Sequence, residues 1–429
     1  MELRDKMLKK THRSTLIGNA SVYAISSVIN SGITVLLLPM LTRFLTIEQY
    51  GILSMINATI SIATPFVGMS ISAAIQRQIV ETDSNASRKY VFNAFVVMLF
   101  SMILVICVFT LFSNYISKYT EIPEEYLWMI VAISAMDTII NVALTILQFK
   151  EKVAVYALYR NLESLSNVLL SMIFVISLGM MLRGRIIAIV ISKFICAFWG
   201  IVIIKKMVGF QVKIDMQKIE DILFNFGIPM IPTLLKSTIL TYLDRIFITN
   251  MENISETGIY TVGNQLSLPI LFIAQAFNLA YVPWLYNKLE KNKLEDKKLI
   301  VKLTYAYFVI ITLIAFTWTI IVNVAAKYII GIEYSSANMY VFWLALAYAF
   351  NGMHMMVVNY IYYEKKLKIY NVVTITVIFS NVILNYIFIN QSGAIGAAQA
   401  TLLVNIISFI LTWKLASKVH HMPWNLKEC

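Results

Sequence analysis

Five ionisable side chains interrupt the long apolar stretches of this sequence, and they are the residues best suited to do chemistry there: Asp137, Arg160, Glu163, Lys193 and Lys236. A charge at the centre of a membrane-spanning helix costs about 2.5–3.5 kcal/mol and usually marks a binding site, an ion pathway or an ion pair. Arg160 and Glu163 lie three residues apart, so we expect them either to pair with each other or to act in function.

Lys193 and Lys236 have no acidic residue within one helical turn of their own segment. Ammonium and guanidinium groups neutralise phosphate, so we predict that these two lysines, together with Arg160, bind a phosphate or diphosphate. The alternative is that the lysines pair with Asp137 or Glu163 and serve folding.

Polar residues at helical spacing accompany these charges in four apolar segments. They include Asn30, Asn57, Asn264, Gln275 and Asn278. Proline interrupts three of the four segments. A single Ser, Thr or Asn often serves only helix packing. The four stripes together predict a water-filled cleft whose hydroxyl and amide groups suit a sugar.

Long apolar helices must position these residues. Hydrophobic residues make up 59% of the chain and charged residues 14%, against about 25% charged in soluble domains. Twelve segments reach the roughly 20 helical residues that cross a bilayer. They are residues 15–39, 50–75, 90–117, 125–149, 154–180, 186–206, 222–248, 258–286, 300–325, 336–362, 369–390 and 393–416. We therefore predict an all-α integral membrane protein of about twelve transmembrane helices.

The basic residues between these segments alternate strongly. One set of loops, which includes both termini, carries 26 Lys and Arg residues, and the other set carries 6. The positive-inside rule places the richer set, with both termini, in the cytoplasm. The same distribution accounts for the net charge of +12 without a nucleic-acid partner.

Two pairs of short motifs repeat at nearly the same offset. Asn167–Phe174 matches Asn381–Phe388 at five of eight positions, and Gly51–Asn57 matches Gly258–Asn264 as G-I-x-[ST]-x-x-N. Six crossings return a chain to its starting side, so the repeat predicts two parallel six-helix bundles around a central cleft. We place the bundles at residues 1–210 and 219–429, with a cytoplasmic linker at 211–218.

Several kinds of site are missing from the sequence. It contains no Walker motif, no G-x-S-x-G, no H-E-x-x-H and no C-x-x-C pair. The loops predicted outside the cytoplasm are only a few residues long. We therefore predict a transporter with no catalytic residues, metal or cofactor.

Several motifs resemble those of Wzx-type O-antigen flippases, in the polysaccharide-transporter branch of the multidrug/oligosaccharidyl-lipid/polysaccharide (MOP) exporter superfamily. These motifs are Leu38–Gly51, Ala74–Arg77, Tyr242–Arg245, Gly258–Tyr260 and Ala276–Pro283. The resemblance implies a MATE-like fold whose cleft is lined mainly by the first, second, seventh and eighth segments. It implies a multi-pass protein of the bacterial inner membrane that flips undecaprenyl-diphosphate-linked oligosaccharide for O-antigen, capsule or exopolysaccharide synthesis.

The resemblance also implies alternating access coupled to an ion gradient, with membrane lipid, a polysaccharide polymerase and a chain-length regulator as partners. The charged residues in the matching motifs are Arg43, Arg77, Asp244 and Arg245. We assign them, with Asp137 and Glu163, to gating or coupling, and we expect Arg43 and Arg245 to pair with acids.

Two other functions remain open. A cation or drug exporter of the related MATE branch would share the architecture, but it would need carboxylates in the cleft. A membrane-embedded polysaccharide polymerase or ligase is the enzyme alternative.

Overall fold

The computed structural model describes residues 30, 32–33, 36–81 and 84–425, without the side chains of residues 79–81, 84, 236–237 and 368. Every regular element in these ranges is a helix. The α-helices are α1 (residues 36–44), α2 (Ile47–Gly68), α3 (Ile71–Glu81), α4 (Ser84–Leu111), α5 (Ser113–Thr120), α6 (Glu124–Phe149), α7 (Val153–Ser171), α8 (Met181–Met207), α9 (Met216–Glu220), α10 (Ile228–Met251), α11 (Ile254–Lys291), α12 (Leu294–Ile329), α13 (Asn338–Tyr363), α14 (Leu367–Ser392) and α15 (Ala394–Val419). Two π-helical turns extend α7 at Met172–Ser177 and precede α10 at Asp221–Gly227, and a 3₁₀ turn spans Ile332–Ala337.

Nine helices within the described part are long and apolar enough to cross a bilayer, and ten if the bent stretch 216–251 counts as one span. The predicted segment 154–180 is helical, but Arg160 and Glu163 lower its hydropathy. Most of the predicted segment 15–39 lies outside the described residues. The prediction of an all-α, multi-pass membrane protein is confirmed.

The helices form two compact units. The first unit contains the described residues up to Leu45 together with Ile52–Ile239, and the second contains Thr46–Gly51 and the described residues from Leu240 onward. The core of the first unit is mainly aliphatic, as in Ile75 and Leu147. The core of the second unit is richer in aromatic rings, such as Tyr307 and Phe409. The predicted bundle limits and their parallel relation stay predictions.

The connection between α14 and α15 is a single residue. Gly393 lies between the two helices with φ +67°, in the left-handed region that glycine adopts without the penalty of a Cβ atom. The turn therefore falls where the sequence predicts it, and it lets two apolar helices follow each other with no loop between them.

Gly51 and Gly258, which open the second pair of repeated motifs, lie against each other in the second unit. A Cβ atom on Gly258 would lie 3.0 Å from the backbone nitrogen of Gly51 and closer still to the carbonyl oxygen of Ile47. The beginnings of α2 and α11 therefore pack backbone to backbone, which only small residues permit.

We expect Gly258→Ala to destabilise the protein by about 1–3 kcal/mol, because two backbones would have to separate. Thermal unfolding of the purified protein in detergent measures the loss. Gly32→Ala is the matched control, since a Cβ there would meet no described atom within 4 Å. Equal melting temperatures for the Gly258 variant and the wild type would show that this contact does not hold the helices together.

Candidate functional site

Three helices of the first unit bring three charged side chains together. Asp137 comes from α6, Glu163 from α7 and Lys193 from α8. The Lys193 Nζ lies 2.5 Å from Asp137 Oδ1 and 2.5 Å from Glu163 Oε1. The Lys193 side chain is only 18% exposed, so the triad is largely shielded from solvent. These three residues form what we call the charged triad.

The triad corrects two predictions from the sequence. Lys193 is paired, and Glu163 pairs with Lys193 rather than with Arg160. Spacing along one helix shows only neighbours on that helix, whereas α8 packs against both α6 and α7. For Lys193 the structure therefore shows the alternative, in which the lysine pairs with Asp137 and Glu163.

A polar seam continues from the triad along α7 and α8. Asn167, one turn beyond Glu163, donates from Nδ2 to Ser192 Oγ at 3.2 Å. Arg185 donates from Nη1 to Asn167 Oδ1 and to Ser171 Oγ, both at 2.6 Å. The two helices therefore meet through hydrogen bonds over about two turns, which is unusual in a surrounding of lipid and apolar side chains.

The triad and the seam border a cavity of about 610 Å³ within the first unit. Fifteen of its 22 lining residues are polar or charged: Asn30, Ser61, Thr64, Ser70, Ser72, Asp137, Thr138, Asn141, Arg160, Glu163, Ser164, Asn167, Arg185, Lys193 and Thr238. Its three cations outnumber its two acids. The described lining therefore carries a net positive charge.

Arg160 is a cation of this cavity that forms no salt bridge among the described residues, although its charge acts on Asp137. Within the described part of the chain its guanidinium takes part in no ion pair, and only its backbone oxygen is bonded, by Asn30 Nδ2 at 3.3 Å. Asn30 also donates to Ser164 Oγ. The amide of Asn30 thus holds the α7 backbone in place while the Arg160 side chain stays available to a ligand.

The wall formed by α2 approaches α6 closely. A Cβ atom on Gly68 would lie 2.7 Å from Thr138 Oγ1. Pro65, within α2, lacks the N–H that would bond to the Ser61 carbonyl oxygen, and Thr238 Oγ1 lies 3.5 Å from that oxygen. Pro65 therefore leaves the Ser61 carbonyl oxygen without its helical hydrogen bond at the cavity. Such backbone groups are tolerated at membrane depth where they line a hydrated site.

The second unit holds a separate buried acid. Asp244, 4% exposed, accepts hydrogen bonds from Tyr260 Oη at 2.7 Å, Asn385 Nδ2 at 2.9 Å and Thr401 Oγ1 at 2.7 Å. These donors come from α11, α14 and α15. Among the described residues no cation forms a salt bridge with this carboxylate.

Arg245 does not pair with an acid among the described residues, so the predicted pairing is wrong. Its Nη1 donates to the Thr241 carbonyl oxygen at 2.7 Å, and its Nε donates to Thr261 Oγ1 at 3.3 Å. The guanidinium also lies 4.9 Å from the centre of the Tyr242 ring. Because Arg245 is buried, neutral oxygens and an aromatic face replace the acid that an exposed gate would use.

The remaining predicted residues do not line the cavity. In the second unit, Asn264 accepts from Tyr348 at 2.5 Å and Asn278 accepts from Asn359 at 2.8 Å. The exposed ones are Arg43, Asn57, Arg77 and Gln275. The structure does not describe the side chain of Lys236, so the role predicted for Lys236 stays a prediction.

Arg185 is the charged cavity residue that the sequence reasoning missed, because its position suggested a loop outside the membrane. Helix α8 begins at Met181, so Arg185 lies inside the helix, eight residues and about two turns from Lys193. The side chain is 9% exposed. Arg185 and Lys193 lie on the same side of α8, and this spacing is the feature of the sequence from which Arg185 could have been predicted.

No group of three or more His, Cys, Asp or Glu side chains that could hold a metal occurs within the described ranges.

Residues 16–289 match the sequence profile of a family described as polysaccharide biosynthesis proteins. A protein of the Lsg locus of Haemophilus influenzae is 25% identical over 358 residues, which cover 81% of this chain and 85% of that protein. An uncharacterised membrane protein of Methanocaldococcus jannaschii is 23% identical over 418 residues, covering 91% and 95%.

Two solved structures resemble the whole chain. The lipid II flippase MurJ, in an inward closed conformation, has a TM-score of 0.72 at 16% identity and covers 94% of this chain and 87% of its own. An inward-facing multidrug-resistance transporter of the MATE family and MOP superfamily has a TM-score of 0.66 at 15% identity, covering 92% and 95%. Both likenesses concern the fold, and they confirm that it is MATE-like.

Proposed function

The chain belongs to the family of polysaccharide biosynthesis proteins, and from this premise we propose that it is a flippase. Its cargo is an oligosaccharide linked to undecaprenyl diphosphate. It moves the saccharide head from the cytoplasmic to the outer leaflet of the bacterial inner membrane, for the synthesis of O-antigen, capsule or exopolysaccharide.

The observation that carries this proposal is the cationic cavity of the first unit. Its volume of about 610 Å³ is in the range of small-molecule sites, roughly 300–1,000 Å³. Arg160 and Arg185 present guanidinium groups, which bind phosphate oxygens in pairs. Hydroxyl and amide groups on the remaining wall suit a sugar. The lipid tail stays in the bilayer while the head enters the cavity.

The diphosphate position differs from the one that the sequence suggested. Lys193 already has two carboxylates as partners, so a phosphate would have to displace both of them. Arg160 has no such competitor among the described residues. We therefore place the diphosphate at Arg160 and keep Lys193 out of direct contact with the cargo.

The excess of cations also separates this proposal from a cation exporter of the same fold. A cationic drug would need uncompensated carboxylates, but both acids of the cavity are bound to Lys193. The charge of the site therefore favours an anionic cargo.

We propose Asp244 as the residue that couples transport to an ion gradient. It is a buried carboxylate whose described hydrogen-bond donors are neutral, and the charge of Arg245 acts on it without a salt bridge. A proton or a monovalent cation would therefore change its charge and its hydrogen bonds. Such a change can shift the balance between two conformations. The cytoplasmic termini and the polymerase and chain-length partners stay predictions.

Deleting the gene in its own organism tests the function. We expect surface polysaccharide to disappear and lipid-linked saccharide to accumulate in the cytoplasmic leaflet. Proteoliposomes with undecaprenyl-diphosphate oligosaccharide should then show protein-dependent movement of the saccharide head between leaflets. Efflux of cationic drugs with no saccharide movement, or a longer saccharide chain made from the lipid-linked units, would contradict the proposal.

A further inference from the structure

The two carboxylates that border the cavity of the first unit share one counter-ion, and that counter-ion belongs to the chain. Asp137 and Glu163 come from different helices, and each lies 2.5 Å from the Lys193 ammonium. Two carboxylates from separate helices that converge on one point are the arrangement that holds a bound cation, since hard cations select oxygen ligands.

We infer that Lys193 is a tethered cation, which permanently fills a monovalent-cation site formed by Asp137 and Glu163. The ammonium takes the place that a cation from solution would otherwise occupy. Lys193 is thus a positioning residue: it neutralises the two acids and ties α8 to α6 and α7.

Access from solvent supports this inference. All three triad side chains border the cavity, as do the oxygen-bearing side chains of Thr138 and Asn141. A small cation can therefore reach the two carboxylates once the lysine is shortened. A fully enclosed ion pair would offer no such route.

The charges lead to the same conclusion. Without Lys193, two acids would face each other in a largely shielded place, with only the more distant charge of Arg160 acting on Asp137. Two like charges there cannot both stay ionised without closer compensation. They would have to take up a proton or a cation. Because the wild-type lysine prevents this, the first unit exchanges no cation at the triad during transport. The inference holds for any cargo and does not depend on the proposed function.

The test compares the melting temperatures of the purified wild type and Lys193→Ala in choline, sodium, potassium and methylammonium chloride at one ionic strength. We expect the wild type to melt at the same temperature in all four salts. The variant should melt about 5–10 °C lower in choline. Methylammonium, which restores the missing end of the lysine, or a small metal cation should recover at least half of that loss.

Lys288→Ala is the matched control. Lys288 also pairs with an acid, Asp296, at 2.6 Å, but at the end of a helix outside the cavity. We expect this variant to show no difference between the four salts. A Lys193→Ala variant that responds to none of the cations, or a wild type that responds as strongly as the variant, would overturn the inference.

A second variant covers the case in which Lys193→Ala does not accumulate in cells. Asp137→Asn/Glu163→Gln/Lys193→Ala removes all three charges, so it should accumulate and melt at one temperature in all four salts. If the triple variant also fails to accumulate, the loss does not come from uncompensated carboxylates, and the tethered-cation assignment is wrong.

Discussion

Replacing Arg160 with Ala should reduce movement of the lipid-linked saccharide by about tenfold to a hundredfold, because a hydrogen bond to a charged group contributes about 1.5–3 kcal/mol. The protein level should stay near that of the wild type, since the guanidinium takes part in no ion pair among the described residues. Arg160→Lys keeps the charge but loses the paired geometry, so we expect partial activity. Saccharide transfer in proteoliposomes and surface polysaccharide in cells measure both variants.

Arg183→Ala is the control for this experiment. Arg183 lies 3.6 Å from Glu125, and the two side chains are 71% and 54% exposed. Exposed ion pairs contribute little, so activity should stay within about twofold of the wild type. If Arg160→Ala were as active as Arg183→Ala, the cargo would not bind through the cavity of the first unit.

Replacing Asp244 with Asn should strongly reduce gradient-driven transport while exchange of the cargo without a gradient persists. The variant keeps the size of the side chain but removes the charge that a proton or cation would compensate. We expect a fall of about tenfold in gradient-driven movement, and a loss of about 1–3 kcal/mol in stability, because the new amide N–H₂ would face donors. Transfer measured with and without imposed ion gradients separates the two activities.

Thr401→Val is the matched variant for Asp244. It removes one of the three donors but leaves the carboxylate, so gradient dependence should survive with reduced stability. An Asp244→Asn protein that still responds to the gradient would exclude this residue as the coupling site and leave the proposed cargo untouched.

The sequence by itself determined the elements of the fold. Hydropathy and segment length predict the apolar helices, and a lone glycine marks the turn between α14 and α15. The residues with the greatest cost in a membrane, Asp137, Arg160, Glu163 and Lys193, also mark the cavity. Both kinds of information are local, because the bilayer acts on each helix separately.

Only the tertiary structure decided which of these groups neutralise each other. The acids that bind Lys193 lie 56 and 30 residues away in the chain, and the donors to Asp244 lie 16 to 157 residues away. Arg185 enters the cavity because α8 starts before it. Such pairings depend on which helix faces pack together, and helical periodicity shows a polar face without showing what it meets. For this reason the sequence predicts a charged site but gives its unpaired cations as Lys193 and Lys236, whereas packing pairs Lys193 with two acids and leaves Arg160 without a salt bridge among the described residues.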